Sequence, residues 1–145
     1  MTSAIERLLV TLWVGSVWAI GYIAAPALFA NLDDSELAGA LAGELFTATA
    51  VLGIGCAMVL ILVYMIQRGW STFTQWRFWV VLVMLALTVI GEFVIRAQME
   101  LVQGTDAFSR LHGTAQLVFL AVAVMGLALV AAGPAGPRPR RSIFA

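Results

Sequence analysis

The chain has 145 residues, of which 62% are hydrophobic and 11% are charged, and its eight arginines balance eight acidic residues at a formal net charge of zero. A soluble chain of this size could not bury so much apolar surface, because soluble domains carry roughly a quarter charged residues. Zero net charge excludes a basic nucleic-acid binder, and a single cysteine excludes a disulfide framework. The composition therefore predicts an integral membrane protein whose first partner is the lipid bilayer.

Four apolar stretches follow one another along the chain, over residues 8–29, 45–66, 78–95 and 111–132. Each is close to the ~20 residues with which a helix crosses a ~30 Å hydrocarbon core. Lipid offers no hydrogen-bond partner to the backbone, so a single crossing segment must be helical. We therefore expect an all-α fold, a membrane four-helix bundle over residues 1–132 with spans 1 to 4 in chain order. Residues 133–145 are rich in proline and arginine and are predicted to be a disordered tail.

The helix starts are predicted from residue pairs with capping-box spacing, in which two side chains satisfy backbone N–H groups of the first turn. Three such pairs place helix starts near residues 4, 34 and 73: Ser3 with Glu6, Asp33 with Glu36, and Thr72 with Gln75. Spans 2 and 3 should then project beyond the bilayer by a turn or two.

The charges are distributed unequally between the two ends of the predicted bundle. Four spans bring both termini and the connection between spans 2 and 3 to one end, which we call proximal; the opposite end is distal. The proximal end carries one acidic residue and six arginines: Arg7, Arg68, Arg77, Arg138, Arg140 and Arg141. The distal end carries two arginines and seven acidic residues, so the two sums are +5 and −5. The positive-inside rule thus predicts cytoplasmic termini and an acidic distal mouth able to receive a cation.

Ionisable residues inside a membrane are costly and commonly mark functional sites. Glu92 and Arg96 are spaced i, i+4 in span 3, and His112 begins span 4. In span 1, Pro26 cannot donate a backbone hydrogen bond to the carbonyl of Tyr22, which then needs another donor. These residues predict a ligand- or partner-binding pocket at the distal end, formed by Tyr22, Pro26, Glu92, Arg96 and His112. The alternative is an interfacial ion pair that ends span 3, with Tyr22 in ordinary packing.

Two further candidate sites lie at the distal end. Neutral imidazole together with carboxylates suits Zn²⁺ or Cu²⁺, so His112 with Glu92 and Glu44 is a candidate metal set. A metal ion is thus a conceivable cofactor, although no cofactor is firmly implied. Gly39 and Gly43 form a GxxxG pattern, which predicts close helix packing within the bundle or between two copies of the chain.

A faint internal repeat relates the two halves of the chain. Ile20 and Gly21 lie 70 residues before Ile90 and Gly91, and Gly43 lies 70 residues before Gly113. Each half would then be one helical hairpin, related to the other by an axis along the membrane normal.

Short motifs in spans 1, 2 and 4 carry a family resemblance: Trp13-Val-Gly15, Ala25-Pro26-Ala-Leu28-Phe29, Ala38-Gly39, Gly43-Glu-Leu45-Phe46, Phe108 and Leu111-His112. With them the chain resembles a small bacterial inner-membrane family of unknown function, whose eukaryotic relative is a transmembrane protein linked to cisplatin resistance. The chain is more distantly similar to copper-resistance membrane proteins, which carry histidine in or near the first helix, where this chain has none. The resemblance implies a bacterial inner-membrane location and a four-helix fold.

The sequence favours a non-enzymatic small subunit, or a bundle that binds a ligand or a membrane-protein partner. It contains no Ser-His-Asp order, phosphate-binding loop or HExxH pattern, which argues against an enzyme. Two alternatives remain open. One is a metal- or haem-handling protein that uses His112; the other is an oligomeric transporter assembled through Gly39 and Gly43.

The charge asymmetry generates a topology prediction. Green fluorescent protein fused after Ala145 should fluoresce, because this fluorophore matures in the cytoplasm. Alkaline phosphatase fused after Gly104, in the distal connection, should be active because it folds after export. The reverse pair of results would contradict the orientation.

Overall fold

A computed structural model describes residues 2–102 and 104–133, and in this part of the chain the regular structure is entirely helical. The α-helices are α1 (Thr2–Ala19), α2 (Ala25–Asn31), α3 (Ser35–Arg68), α4 (Trp76–Val89), α5 (Arg96–Leu101) and α6 (Asp106–Ala131). A π-helical turn, Ile20–Ala24, joins α1 to α2, and a second, Ile90–Ile95, joins α4 to α5. A 3₁₀-helix, Gly69–Thr74, follows α3.

These elements form four rods that are long and apolar enough to cross a membrane: Ala4–Asn31, Ser35–Thr74, Trp76–Met99 and Asp106–Ala131. They correspond to spans 1 to 4, so the predicted all-α class is confirmed, with four helices long and apolar enough to cross a membrane. The predicted tail lies outside the described residues, apart from Gly133.

The four spans form an up-and-down bundle in which each span packs against two others. α1 and α4 both pack against α3 and against α6. The core contains buried side chains from all four spans, including Trp13, Leu60, Met84 and Leu129. The outer surface is also apolar, and Leu8, Ile23, Ile66 and Leu117 are among its exposed residues. Apolar residues on all sides of a helix are typical of a membrane span.

Trp13 fixes how closely spans 1 and 2 approach. Its side chain is fully buried and lies directly against Gly53, where an added Cβ would overlap the indole ring. Gly55 lies on the same helix with open space around the position of a Cβ. The close approach therefore depends on one glycine, and the neighbouring glycine is a natural control.

The observed helix starts correct two of the capping predictions. Helix α3 is capped by Asp34 rather than Asp33, because the Asp34 side chain accepts hydrogen bonds from the backbone N–H groups of Glu36 and Leu37. The predicted helix start near residue 73 is wrong: α4 begins at Trp76. The Thr72 hydroxyl instead donates to the carbonyl of Tyr64 at 2.8 Å, which holds the 3₁₀-helix against the end of α3.

The two π-turns fall on the two copies of the Ile-Gly pair, 70 residues apart in the sequence. In the first, the backbone N–H of Ala25 donates to the carbonyl of Ile20, five residues earlier, and Pro26 follows directly. π-turns are rare and are frequent at functional sites. Spans 1 and 3 thus share a backbone irregularity at equivalent positions.

Replacing Gly53 with alanine should destabilise the protein by about 1–3 kcal/mol, because the new methyl group overpacks against the Trp13 indole. The matched Gly55→Ala change should be neutral or stabilise by up to ~1 kcal/mol, since alanine favours helix more than glycine. Unfolding of the full chain in one detergent compares the two variants. Equal losses of stability would contradict this packing.

Candidate functional site

Four residues of spans 2 and 3 form a polar group that we call the distal cluster: Gly43, Thr47, Glu92 and Arg96. The Nη1 atom of Arg96 donates to Oε1 of Glu92 at 2.9 Å and to the carbonyl of Gly43 at 3.3 Å. The Thr47 hydroxyl donates to the same Glu92 oxygen at 2.8 Å. The predicted Glu92–Arg96 pair is therefore present, and span 2 supplies two further partners that the sequence analysis missed.

The second π-turn carries Glu92 and directly precedes Arg96 on span 3. The backbone N–H of Arg96 donates to the carbonyl of Gly91. At 1.5 Å per residue, Glu92 is about 24 Å and Arg96 about 30 Å from Trp76 along span 3. If Trp76 marks the proximal interface, as exposed tryptophans commonly do, Arg96 lies at the distal boundary of a ~30 Å hydrocarbon core.

The two charged side chains of the distal cluster differ in how well they are covered. The Glu92 side chain is 14% exposed, whereas the Arg96 side chain is 33% exposed. The carboxylate is thus enclosed by its donors, and the uncovered part of the pair is cationic.

Tyr22 lies in an aromatic cluster that joins spans 1, 2 and 4. Its ring stacks on Trp18 with centroids 4.5 Å apart and lies 6.3 Å from Phe119, which in turn meets Phe46 edge-on at 5.1 Å. Gly21 allows this approach, because a Cβ there would overlap the Phe119 ring. Pro26 is exposed on the turn that follows. The donor to the Tyr22 carbonyl stays a prediction.

His112 is exposed near the start of α6, and its described ring and hydrogen-bond contacts are with residues of that same helix. The imidazole ring stacks over Phe108 with centroids 6.0 Å apart, and its Nε2 lies 3.2 Å from the side-chain nitrogen of Gln116. Glu44 is exposed. Among residues 2–102 and 104–133, no three His, Cys, Asp or Glu residues come together as a metal-binding group, and the candidate metal set stays a prediction.

The GxxxG pattern contributes to packing differently at its two glycines. Gly39 is exposed, and a Cβ there would lie 3.9 Å from the Phe29 ring. Gly43 is half-buried, and its carbonyl belongs to the distal cluster. The adjacent small residues Ala38 and Ala42 are buried, so they face the bundle interior.

The best-enclosed polar group lies at the other end of the bundle, where no site was predicted. We call it the proximal network: Glu6, Tyr64, Thr72 and Arg77. Oε1 of Glu6 accepts hydrogen bonds from the Tyr64 hydroxyl and from Nε of Arg77, both at 2.8 Å. Arg77 also donates through Nη1 to the carbonyl of Leu129 at 3.3 Å. The Glu6 and Arg77 side chains are only 6% and 7% exposed.

The proximal network gives two charged residues a role that the sequence analysis did not assign. Glu6 was assigned to a capping box and Arg77 was counted among the arginines of the proximal end, and the structure pairs their side chains inside the bundle. The burial of Glu6 could have been predicted from the sequence, because Glu6 shares a helical face with three apolar residues. These are Val10, Trp13 and Val17, and all three are buried. A carboxylate on such a face requires a buried cationic or hydrogen-bonding partner.

Comparison with known protein families identifies one match. Residues 8–107 match the family described as "Domain of unknown function (DUF4149)", so the chain belongs to this family. The match covers spans 1 to 3 and the start of span 4. No curated protein and no solved structure matches the chain.

The family match supports the predicted membership of an uncharacterised family. Together with the four apolar helices, it makes the chain an uncharacterised multi-pass membrane protein. The relation to the cisplatin-resistance protein and the similarity to copper-resistance proteins stay predictions.

The proximal network predicts a distinctive pattern of stability. Arg77→Ala should destabilise the protein by about 3–5 kcal/mol, because it leaves the Glu6 carboxylate buried without its cation. The double change Glu6→Gln with Arg77→Met removes both charges and should lower the free energy of unfolding much less than Arg77→Ala does. Reversible unfolding of the full chain in mixed micelles measures both effects.

The control for this experiment is Arg110→Ala, which removes an exposed arginine near the start of α6 and should change stability by less than about 0.5 kcal/mol. If the double variant lost as much stability as Arg77→Ala, side-chain packing rather than charge pairing would be the dominant effect.

Proposed function

We propose that this protein is a non-enzymatic membrane subunit that binds a membrane-protein partner through its distal cluster. The observation that carries the proposal is the Glu92–Arg96 pair, in which one third of the Arg96 side chain is uncovered. The partner would contribute a carboxylate or a helix-end carbonyl to the uncovered side of Arg96.

The cost of exposing a charged side chain favours the binding of a partner at the distal cluster. A charged group at membrane depth is costly unless protein or water surrounds it, and such residues usually face a bundle interior or a cavity. Thr47 and the Gly43 carbonyl cover Glu92 and one edge of Arg96. A partner helix packed here would cover the third of the Arg96 side chain that is exposed.

The rigidity of the cluster also supports binding rather than turnover. Glu92 receives two hydrogen bonds from different spans, so its carboxylate is held as an acceptor and orients the arginine. The remaining members of the predicted pocket, Tyr22, Pro26 and His112, would form the rim of the same surface. In this proposal the termini are cytoplasmic, the distal end is periplasmic and the membrane is the bacterial inner membrane.

Site-specific photo-crosslinking tests the proposal in native membranes. A crosslinking amino acid at exposed Ala97, next to Arg96, should yield one discrete protein adduct. The same amino acid at Leu62, exposed on span 2 in the proximal half, is the control and should yield lipid adducts alone. Adding Arg96→Ala should reduce the Ala97 adduct at least tenfold, whereas Arg110→Ala should leave it unchanged.

The outcomes separate binding from a structural role. Arg96→Ala must retain its helical circular dichroism, and Arg96→Lys should restore part of the adduct because it restores the charge. An absent Ala97 adduct, or one that persists undiminished in Arg96→Ala, would exclude the distal cluster as the partner-binding site.

A further inference from the structure

The outer surface of span 4 carries a carboxamide that the bundle leaves partly unsatisfied. Gln116 is exposed, and its side-chain nitrogen lies 3.2 Å from Nε2 of His112. An amide nitrogen can only donate, so the imidazole accepts this bond. Within residues 2–102 and 104–133, the Gln116 amide makes no other hydrogen bond. Its oxygen and its second N–H are therefore available side by side on the surface.

The hydroxyl side chains near Gln116 differ from it, because they are satisfied by their own helix. The Ser109 hydroxyl donates to the carbonyl of Asp106 at 2.9 Å, and the Thr114 hydroxyl donates to the carbonyl of Arg110 at 3.0 Å. A hydroxyl has one donor, which a backbone carbonyl one turn away satisfies. A carboxamide has two N–H donors and an acceptor oxygen, so one neighbour on the helix is not enough.

The position of Gln116 along span 4 makes this deficit costly. The carbonyl of Leu129 accepts from Arg77, which follows Trp76 in the sequence, so Leu129 lies near the proximal end. Gln116 precedes Leu129 by 13 residues, or about 20 Å of helix. With Trp76 at the proximal interface, Gln116 falls inside a ~30 Å hydrocarbon core. Lipid cannot supply the missing hydrogen bonds there.

Gln116 begins a continuous exposed face of span 4 that we call the span 4 seam. Its members recur every three or four residues and all are exposed: Gln116, Leu120, Val124, Leu127 and Ala131. This spacing places them on one side of the helix. The part of α6 that follows Arg110 contains no Asp, Glu, Lys or Arg. The seam is thus apolar and uncharged along its length, with one carboxamide in its distal half.

We propose that a second copy of this chain docks on the span 4 seam, with the two Gln116 carboxamides hydrogen-bonded to each other. Copies of one membrane protein insert in the same orientation, so a two-fold axis along the membrane normal brings each seam residue against its own counterpart. Such an interface requires side chains that are complementary to themselves. A carboxamide donates and accepts, the aliphatic residues pack together, and no like charges are brought into contact.

This interface goes beyond the proposed function and lies on a different face of the bundle. The distal cluster is formed by spans 2 and 3, whereas span 4 packs against spans 1 and 3. A second copy seated on the seam would leave Arg96 available to a partner. Arg96→Ala, which should abolish partner binding, should therefore leave self-association unchanged.

Cysteine crosslinking in native membranes tests the geometry of the interface. Leu120→Cys should give a disulfide-linked dimer under mild oxidation, because the two-fold axis brings position 120 of each copy together. The matched Val51→Cys change, at an exposed residue of span 2, should give none because span 2 lies outside the proposed interface. The wild type, whose cysteine Cys56 is buried, provides the background.

Energy transfer between fluorescent proteins fused after Ala145 measures the affinity of the full chain for itself in lipid vesicles. Gln116→Leu should raise the dissociation constant about tenfold, because each copy loses a hydrogen bond across the interface. Gln116→Asn restores an amide and should keep part of the affinity. Gln98→Leu is the control, because it removes an exposed glutamine at the distal end of span 3 and should change nothing.

The outcomes decide between a second copy and other occupants of the seam. A chain that stays monomeric at all protein-to-lipid ratios, or crosslinks equally at positions 120 and 51, would overturn the proposal. So would an unchanged dissociation constant in Gln116→Leu. A Leu120→Cys adduct with a different protein and no homodimer would assign the seam to that protein instead. If Gln116→Leu loses its helical circular dichroism, the crosslinking pair, which keeps Gln116, decides alone.

Discussion

Hydrocarbon offers no partner to a charge, so each polar side chain within the spans must find its partners in the protein. At the proximal end a single network meets this requirement with groups from all four spans. Glu6 comes from span 1, Tyr64 from span 2, Arg77 from span 3 and the carbonyl of Leu129 from span 4. Since displacing one member would leave a charge buried without its partner, the network sets the register and order in which the helices meet.

The distal end meets the same requirement with only two spans. Glu92 is enclosed by donors from spans 2 and 3, but Arg96 keeps one third of its side chain uncovered. The two ends of the bundle are therefore unlike: one ion pair is sealed and the other is partly open. This contrast favours a structural role for the proximal pair and a binding role for the distal one.

Local and long-range features of the distal site differed in how far they could be predicted. Glu92 and Arg96 are one helical turn apart, so their pairing follows from spacing alone. Thr47 lies 45 residues from Glu92, and its contribution depends on how spans 2 and 3 are rotated against each other. The described contacts of Tyr22 are with aromatic rings, and those of His112 lie along its own helix. Their meeting with the ion pair therefore remains a prediction.

The sequence by itself determined that the chain suits a lipid environment, its helical class, its four apolar spans and the local Glu92–Arg96 pair. Hydropathy and helical class depend on the residues of one segment, and the Glu92–Arg96 pair lies within one helical turn. They can therefore be predicted without knowing how neighbouring helices pack. Tertiary structure decided which polar groups from different spans meet, because that depends on the rotation of each helix about its axis. Contacts such as Trp13 against Gly53 constrain this rotation, and in the folded bundle Glu6 of span 1 meets Arg77 of span 3, 71 residues away in the chain.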